Sequence, residues 1–123
     1  MRASDLSNYL KNKTTIDSFL VSIEEEVRIY IKKLDKVGSA IILRFDEDEK
    51  VTIKISDLKK LLQDVQKTNF KPAHLSYISD CLTMAKNVEY ETEKIEDLIW
   101  KFADPEINGY KTQAELLKIL TAL

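Results

Sequence analysis

The sequence predicts an α+β fold, predominantly helical, with five to six helices packed around one antiparallel β-hairpin at about residues 39–45 and 50–56. Three observations lead there. Most apolar residues recur at helical spacing. Two short stretches alternate or are β-branched on either side of a polar tetrapeptide. Only two glycines and two prolines occur in 123 residues, too few for the many turns of an all-β architecture.

The elements follow in chain order. Leu6, Tyr9 and Leu10 mark a short first helix behind Ser4 or Asp5, and Asn12-Lys13-Thr14 breaks it. The longest helix is expected over about 15–37, with Ile16, Leu20, Ile23, Val27, Tyr30 and Leu34 forming the stripe and Phe19 and Ile31 widening it. Its acids precede its lysines, which suits the helix dipole, and Gly38 fits a left-handed stop. The hairpin would turn Ile41, Leu43 and Phe45 inward from one strand and Val51, Ile53 and Ile55 from the other. Its polar connection is Asp46-Glu47-Asp48-Glu49. A lone hairpin is marginal in water, so this apolar face must pack on helices.

Ser56 is read as the cap of a helix to about Lys67, with Leu58, Leu61, Leu62 and Val65 on one face. A helix from Pro72 or Ala73 to Lys86 would bury Leu75, Ile78, Leu82 and Ala85. Val88 and Tyr90 suggest a brief extended segment. The next helix, Thr92 to Ala103, would bury Ile95, Leu98, Ile99 and Phe102 and end at Pro105. Asn108-Gly109 is a turn. Thr112 and Glu115 form a capping box for a last helix with Leu116, Leu117 and Leu120 inward.

The whole chain, 1–123, is expected to be a single domain. Its 44% hydrophobic and 33% charged content suits a folded core without disulfides or metal. Cys81 is the lone cysteine, which fits a reducing compartment. No apolar run approaches the ~20 residues that span a bilayer, and the first residues lead into an amphipathic stretch. The expectation is a cytoplasmic protein of bacterial style.

Catalytic chemistry finds little to use. His74 is the lone histidine, and Cys81 lies two helical turns away, ~10 Å along a helix axis. One histidine and one cysteine cannot supply a zinc set. The acidic tetrapeptide lacks the glycine and downstream ligands of an EF-hand loop. The two glycines, 38 and 109, are too far apart for a phosphate loop. The acids lie in runs on polar faces, whereas catalytic acids need burial or a tuned neighbour. The expectation is a non-enzyme with no cofactor, no catalytic residues and no metal site.

Charge is uneven beneath a net −2. Residues 50–71 carry six lysines against two aspartates, a strip of Lys50, Lys54, Lys59, Lys60, Lys67 and Lys71. With three arginines in the chain and no helix-turn-helix or aromatic sheet motif, no nucleic-acid partner is expected, and no membrane partner either. Residues 87–109 carry seven carboxylates against two lysines. Here Glu89, Glu91, Glu93, Glu96, Asp97, Asp104 and Glu106 surround Tyr90 and Trp100. Trp100 lies off the apolar stripe and is expected half exposed. Acidic groups speed encounter with a basic protein and aromatic anchors supply local binding energy. The candidate partner-binding residues are therefore Glu89, Tyr90, Glu91, Glu93, Glu96, Asp97 and Trp100. Asp46, Glu47, Asp48 and Glu49 form a second surface at the hairpin tip.

A short acidic α+β chain without a catalytic set resembles the immunity proteins of bacterial polymorphic-toxin systems, including contact-dependent growth inhibition. The resemblance covers roughly 75–123: the helix around Ser79-Asp80-Cys81-Leu82, the helix ending Leu98-Ile99-Trp100-Lys101-Phe102, and Ala103-Asp104-Pro105-Glu106-Ile107-Asn108-Gly109 before a capped helix. It implies a cognate toxin domain, often a basic nuclease, neutralised by tight binding at or near its active site. It assigns no role to any residue. The alternative is a regulatory or adaptor module acting through protein contacts, or a homodimer through the 15–37 stripe.

Overall fold

A computed structural model describes residues 1–34 and 43–123, with the side chains of Glu106 and Ile107 outside the description. The elements are α1 (Ala3–Leu10), α2 (Ile16–Leu34), β1 (Val51–Ile53), α3 (Ile55–Lys67), α4 (Pro72–Met84), β2 (Val88–Tyr90), α5 (Glu93–Phe102), the short α6 (Pro105–Asn108) and α7 (Gln113–Ala122).

The predicted antiparallel hairpin is not formed. β1 pairs in parallel with β2, in the register Val51↔Val88, Thr52↔Glu89 and Ile53↔Tyr90. Residues 39–42 of the expected first strand, Ile41 among them, lie outside the described residues. Residues 43–45 belong to no strand. Instead Arg44 and Asp46 pair with the first residues of the chain. The Met1 amine donates to Arg44 O at 2.6 Å, the Asp46 amide to Met1 O at 2.9 Å, and the Ala3 amide to Asp46 O at 2.8 Å. The physical reason is that alternation fixes which face of a strand is buried and leaves its neighbour open. The inward reading of Val51 and Ile53 is right, and both are buried. Leu43, Phe45 and Ile55 pack partly buried against the same core, Ile55 as the first residue of α3.

Helical periodicity is realised closely. In α2 the buried residues are Phe19, Ile23, Val27 and Tyr30, flanked by partly buried Ile16, Leu20 and Leu34. Ile31, expected to widen the stripe, is exposed. In α3, Leu58, Leu61, Leu62 and Val65 are buried, and in α5, Ile95, Leu98, Ile99 and Phe102. Tyr9 sits at the junction of three elements. Its ring stacks on Phe19 of α2 at 4.8 Å and lies beneath Lys60 Nζ of α3 at 4.6 Å, and its hydroxyl donates to Asp64.

Some boundaries differ from expectation. Lys54, not Ser56, precedes α3, and the Asp57 carboxylate accepts from the Lys54 amide at 2.9 Å. Pro105 opens α6 as well as closing α5, using proline's fitness for a first helical turn. Leu117 is 46% exposed, so α7 turns Leu116 inward with only partial cover of Leu120. The Thr112–Glu115 capping box is present in full: Thr112 Oγ1 accepts from the Glu115 amide and Glu115 Oε1 from the Thr112 amide, each at 3.1 Å. Among the described residues, no helix is long and apolar enough to cross a membrane.

Candidate functional site

The acidic tetrapeptide is largely consumed by the fold. The Glu47 carboxylate accepts from the Lys86 amide at 3.0 Å and from the Asn87 amide at 2.7 Å, which fixes the chain between α4 and β2. Asp48 accepts from the Ser4 amide at 2.9 Å and from the Ser4 hydroxyl. It thereby satisfies a free N–H in the first turn of α1, where a negative charge also suits the dipole. The Ser4 hydroxyl and amide hold this carboxyl below the usual carboxylate range. Asp46 is tied through its backbone, and Glu49 is exposed beside them. The four carboxylates therefore do not project together from a hairpin tip.

The second group of acids divides in two. Glu89 lies on β2 and accepts from Lys50 Nζ at 2.6 Å. Glu91 extends the parallel pairing: its amide donates to Ile53 O at 3.0 Å, and its carboxylate receives the Ile55 amide at 3.4 Å. Tyr90 is half buried, and burial, helped by the nearby Glu96 carboxylate, pushes its phenol up to about 12.

Glu93, Glu96, Asp97 and Trp100 behave differently. They fall at i, i+3, i+4 and i+7 on α5, which places them on one side of the helix. That side is opposite the buried Ile95, Leu98, Ile99 and Phe102. All four are exposed, Trp100 at 54%. Among the described residues, none of these three carboxylates takes part in an ion pair or a side-chain hydrogen bond. The helix is started by Thr92, whose Oγ1 accepts from the Ile95 amide at 3.3 Å, so the face stands on a capped and well-buried base.

Sequence reasoning missed a partly buried polar seam between α2 and α4. The Met1 amine and the Tyr77 hydroxyl both donate to Glu26 Oε2 at 2.5 Å. Tyr30 donates to Asp80, whose other oxygen receives the Asp104 amide at 2.6 Å. Burial, assisted by the neighbouring Asp104, raises the Asp80 carboxyl above the usual range, against the lowering effect of these two hydrogen bonds. Tyr30 and Tyr77 meet edge to face at 5.4 Å. Tyr30 gave no hint because it fits the α2 stripe as an ordinary apolar position, and Tyr77 lies off the expected stripe of Leu75, Ile78 and Leu82 yet is buried.

Cys81 is buried, and the loss of solvent pushes its thiol up to about 12. On the same helix, His74 accepts the Lys71 amide on Nδ1 at 2.9 Å and stacks on Phe70. Among the described residues, no group of three or more His, Cys, Asp or Glu side chains could hold a metal ion. No family model, no curated protein and no solved structure matches this chain.

Proposed function

We propose that the chain is an immunity-type inhibitor that binds a basic toxin domain of the nuclease kind through the outer face of α5. One observation carries the reading. The carboxylates of Glu47, Asp48 and Glu91 are spent on backbone amides and that of Glu89 on Lys50, whereas Glu93, Glu96 and Asp97 stand uncommitted around a half-exposed Trp100. Such a face has both ingredients of a charged recognition surface: unpaired charge to steer encounter, and one large aromatic to desolvate on contact. Tyr90 borders it, and Glu49 stands apart as a free charge of the other acidic segment. In this reading the chain acts without catalysis or a cofactor, and in the cytoplasm, where a toxin's target would lie.

The test is complex formation with candidate basic toxin domains of the nuclease kind. Titration calorimetry should give a tight complex. Trp100→Ala should cost about 2 kcal/mol or more, roughly a thirtyfold loss. The triple reversal Glu93→Lys, Glu96→Lys, Asp97→Lys should slow association and remove its salt sensitivity. Absence of a complex at micromolar concentration would sink the proposal. A complex indifferent to all four substitutions would move the contact elsewhere on the chain.

A further inference from the structure

The lysines flanking β1 define a second surface with chemistry opposite to that of α5. Lys50, Thr52 and Lys54 alternate with the buried Val51 and Ile53, so they share the outward side of the strand. Ser7 lies on α1 and Lys11, four residues on, is the residue that ends that helix. These two rows, with Ser56 from the start of α3, line a single cavity of 540 Å³. That volume lies in the range of small-molecule sites.

We propose that this groove binds a compact phosphorylated anion. The lining supplies what a phosphoryl group takes. Lys11, Lys50 and Lys54 bring three ammonium groups from two segments of the chain. Lys50 and Lys54 are ~13 Å apart along the strand at ~3.3 Å per residue, and their long side chains can close on a group seated over Thr52. Thr52 and Ser56, both exposed, add hydroxyls to the lining as neutral donors. The amide of Ser56 is in the first turn of α3, where helical N–H groups have no partner within the helix.

The remaining walls set the limits of the ligand. Leu10 is the one large apolar lining residue, and no aromatic ring is present for a base to stack on. The groove is therefore suited to pyrophosphate or a phosphate ester and not to a nucleic-acid strand. Asp57 also lines it, with its carboxylate engaged by the Lys54 amide at 2.9 Å. Lys50 is paired with Glu89 at 2.6 Å, but both side chains are largely exposed, and an exposed pair is weak enough for a phosphate to compete with it.

The experiment is an amide-resolved NMR titration of the full chain with inorganic pyrophosphate at low ionic strength. Saturable shifts centred on Ser7, Thr52 and Ser56 are expected. Lys54→Ala should weaken binding roughly tenfold, the scale of one hydrogen bond to a charged group, and Lys11→Ala/Lys54→Ala further. The control Lys32→Ala/Lys118→Ala removes two exposed lysines outside the groove and should leave the dissociation constant unchanged. Lys11 and Lys54 are exposed, and circular dichroism should show that each variant is folded. Vesicles bearing phosphoinositide headgroups separate a membrane-borne source of the phosphoryl group from a soluble one, and binding to either must be lost in the double variant. Equal weakening in the control pair, shifts spread over all lysines, or binding of a short oligonucleotide without any response to pyrophosphate would each overturn the proposal.

Discussion

The Asp48 carboxylate caps a helix that begins far upstream, accepting both the amide and the hydroxyl of Ser4. The contact ties the entry to β1 to the start of α1, next to the backbone pairing of Asp46 with Met1 and Ala3. Asp48→Ala should therefore lower the thermal midpoint by a few degrees. Asp48→Asn, which keeps an acceptor and loses the charge, should fall between. The carboxyl is held below its ordinary value, so its contribution is complete above the unfolded pKa and is lost as pH falls through the folded one. The difference between wild type and Asp48→Ala should narrow in acid, measured by melting curves across that range.

The two sides of α5 should separate stability from recognition. Phe102 is buried, and Phe102→Ala should cost about 3–5 kcal/mol in urea unfolding. Trp100→Ala should change stability by only about 0.5 kcal/mol. Comparable losses from both substitutions would mean that Trp100 is packed, and the recognition face would lose its aromatic.

His74 makes stability pH-dependent near neutrality. Burial, with Lys71 nearby, lowers its pKa, and its Nδ1 must stay unprotonated to accept the Lys71 amide. The unfolded chain therefore binds the proton more readily than the folded one. Stability should fall as pH drops from about 6.5, the ordinary histidine value, through the lowered folded pKa. His74→Gln should flatten that slope in urea titrations, leaving only the carboxylate contribution at lower pH.

Ser79 is fully buried on α4, and its hydroxyl has no hydrogen-bond partner among the described residues. An unsatisfied buried polar group costs about 1–3 kcal/mol. Ser79→Ala removes it with little change of volume. The variant should be at least as stable as wild type, by up to about 1 kcal/mol in denaturant titration. Marked destabilisation would show that the hydroxyl is satisfied in solution.

What the sequence made legible was local. The stripe Ile23, Val27, Tyr30 and the box Thr112–Glu115 each encode their own geometry within a few residues, and both are realised. The exposure of Trp100 followed from its angular offset from Leu98 and Phe102. What escaped was non-local. Nothing in Lys50–Ser56 specifies that Val51 should pair with Val88, because either neighbour buries the same two side chains. The role of Glu47 was hidden for the same reason: a carboxylate in a polar turn looks solvated until the end of α4 is brought to it. The uncommitted acids of α5 emerged only by subtraction, once the fold had used Glu47, Asp48, Glu89 and Glu91.

The parallel pairing of β1 with β2 has a kinetic consequence. A hairpin closes through a short turn and can form early, but this ladder cannot close until α3 and α4 have brought Val88 back beside Val51. Each of those helices has its own periodic stripe and can form from nearby contacts, whereas the two strands must meet across both, which raises the contact order of this step. The sheet should therefore lock late in refolding, with Glu91 and the base of α5 ordering behind it. The proposed recognition face would then be the last part of the molecule to mature, so that binding competence reports completed folding.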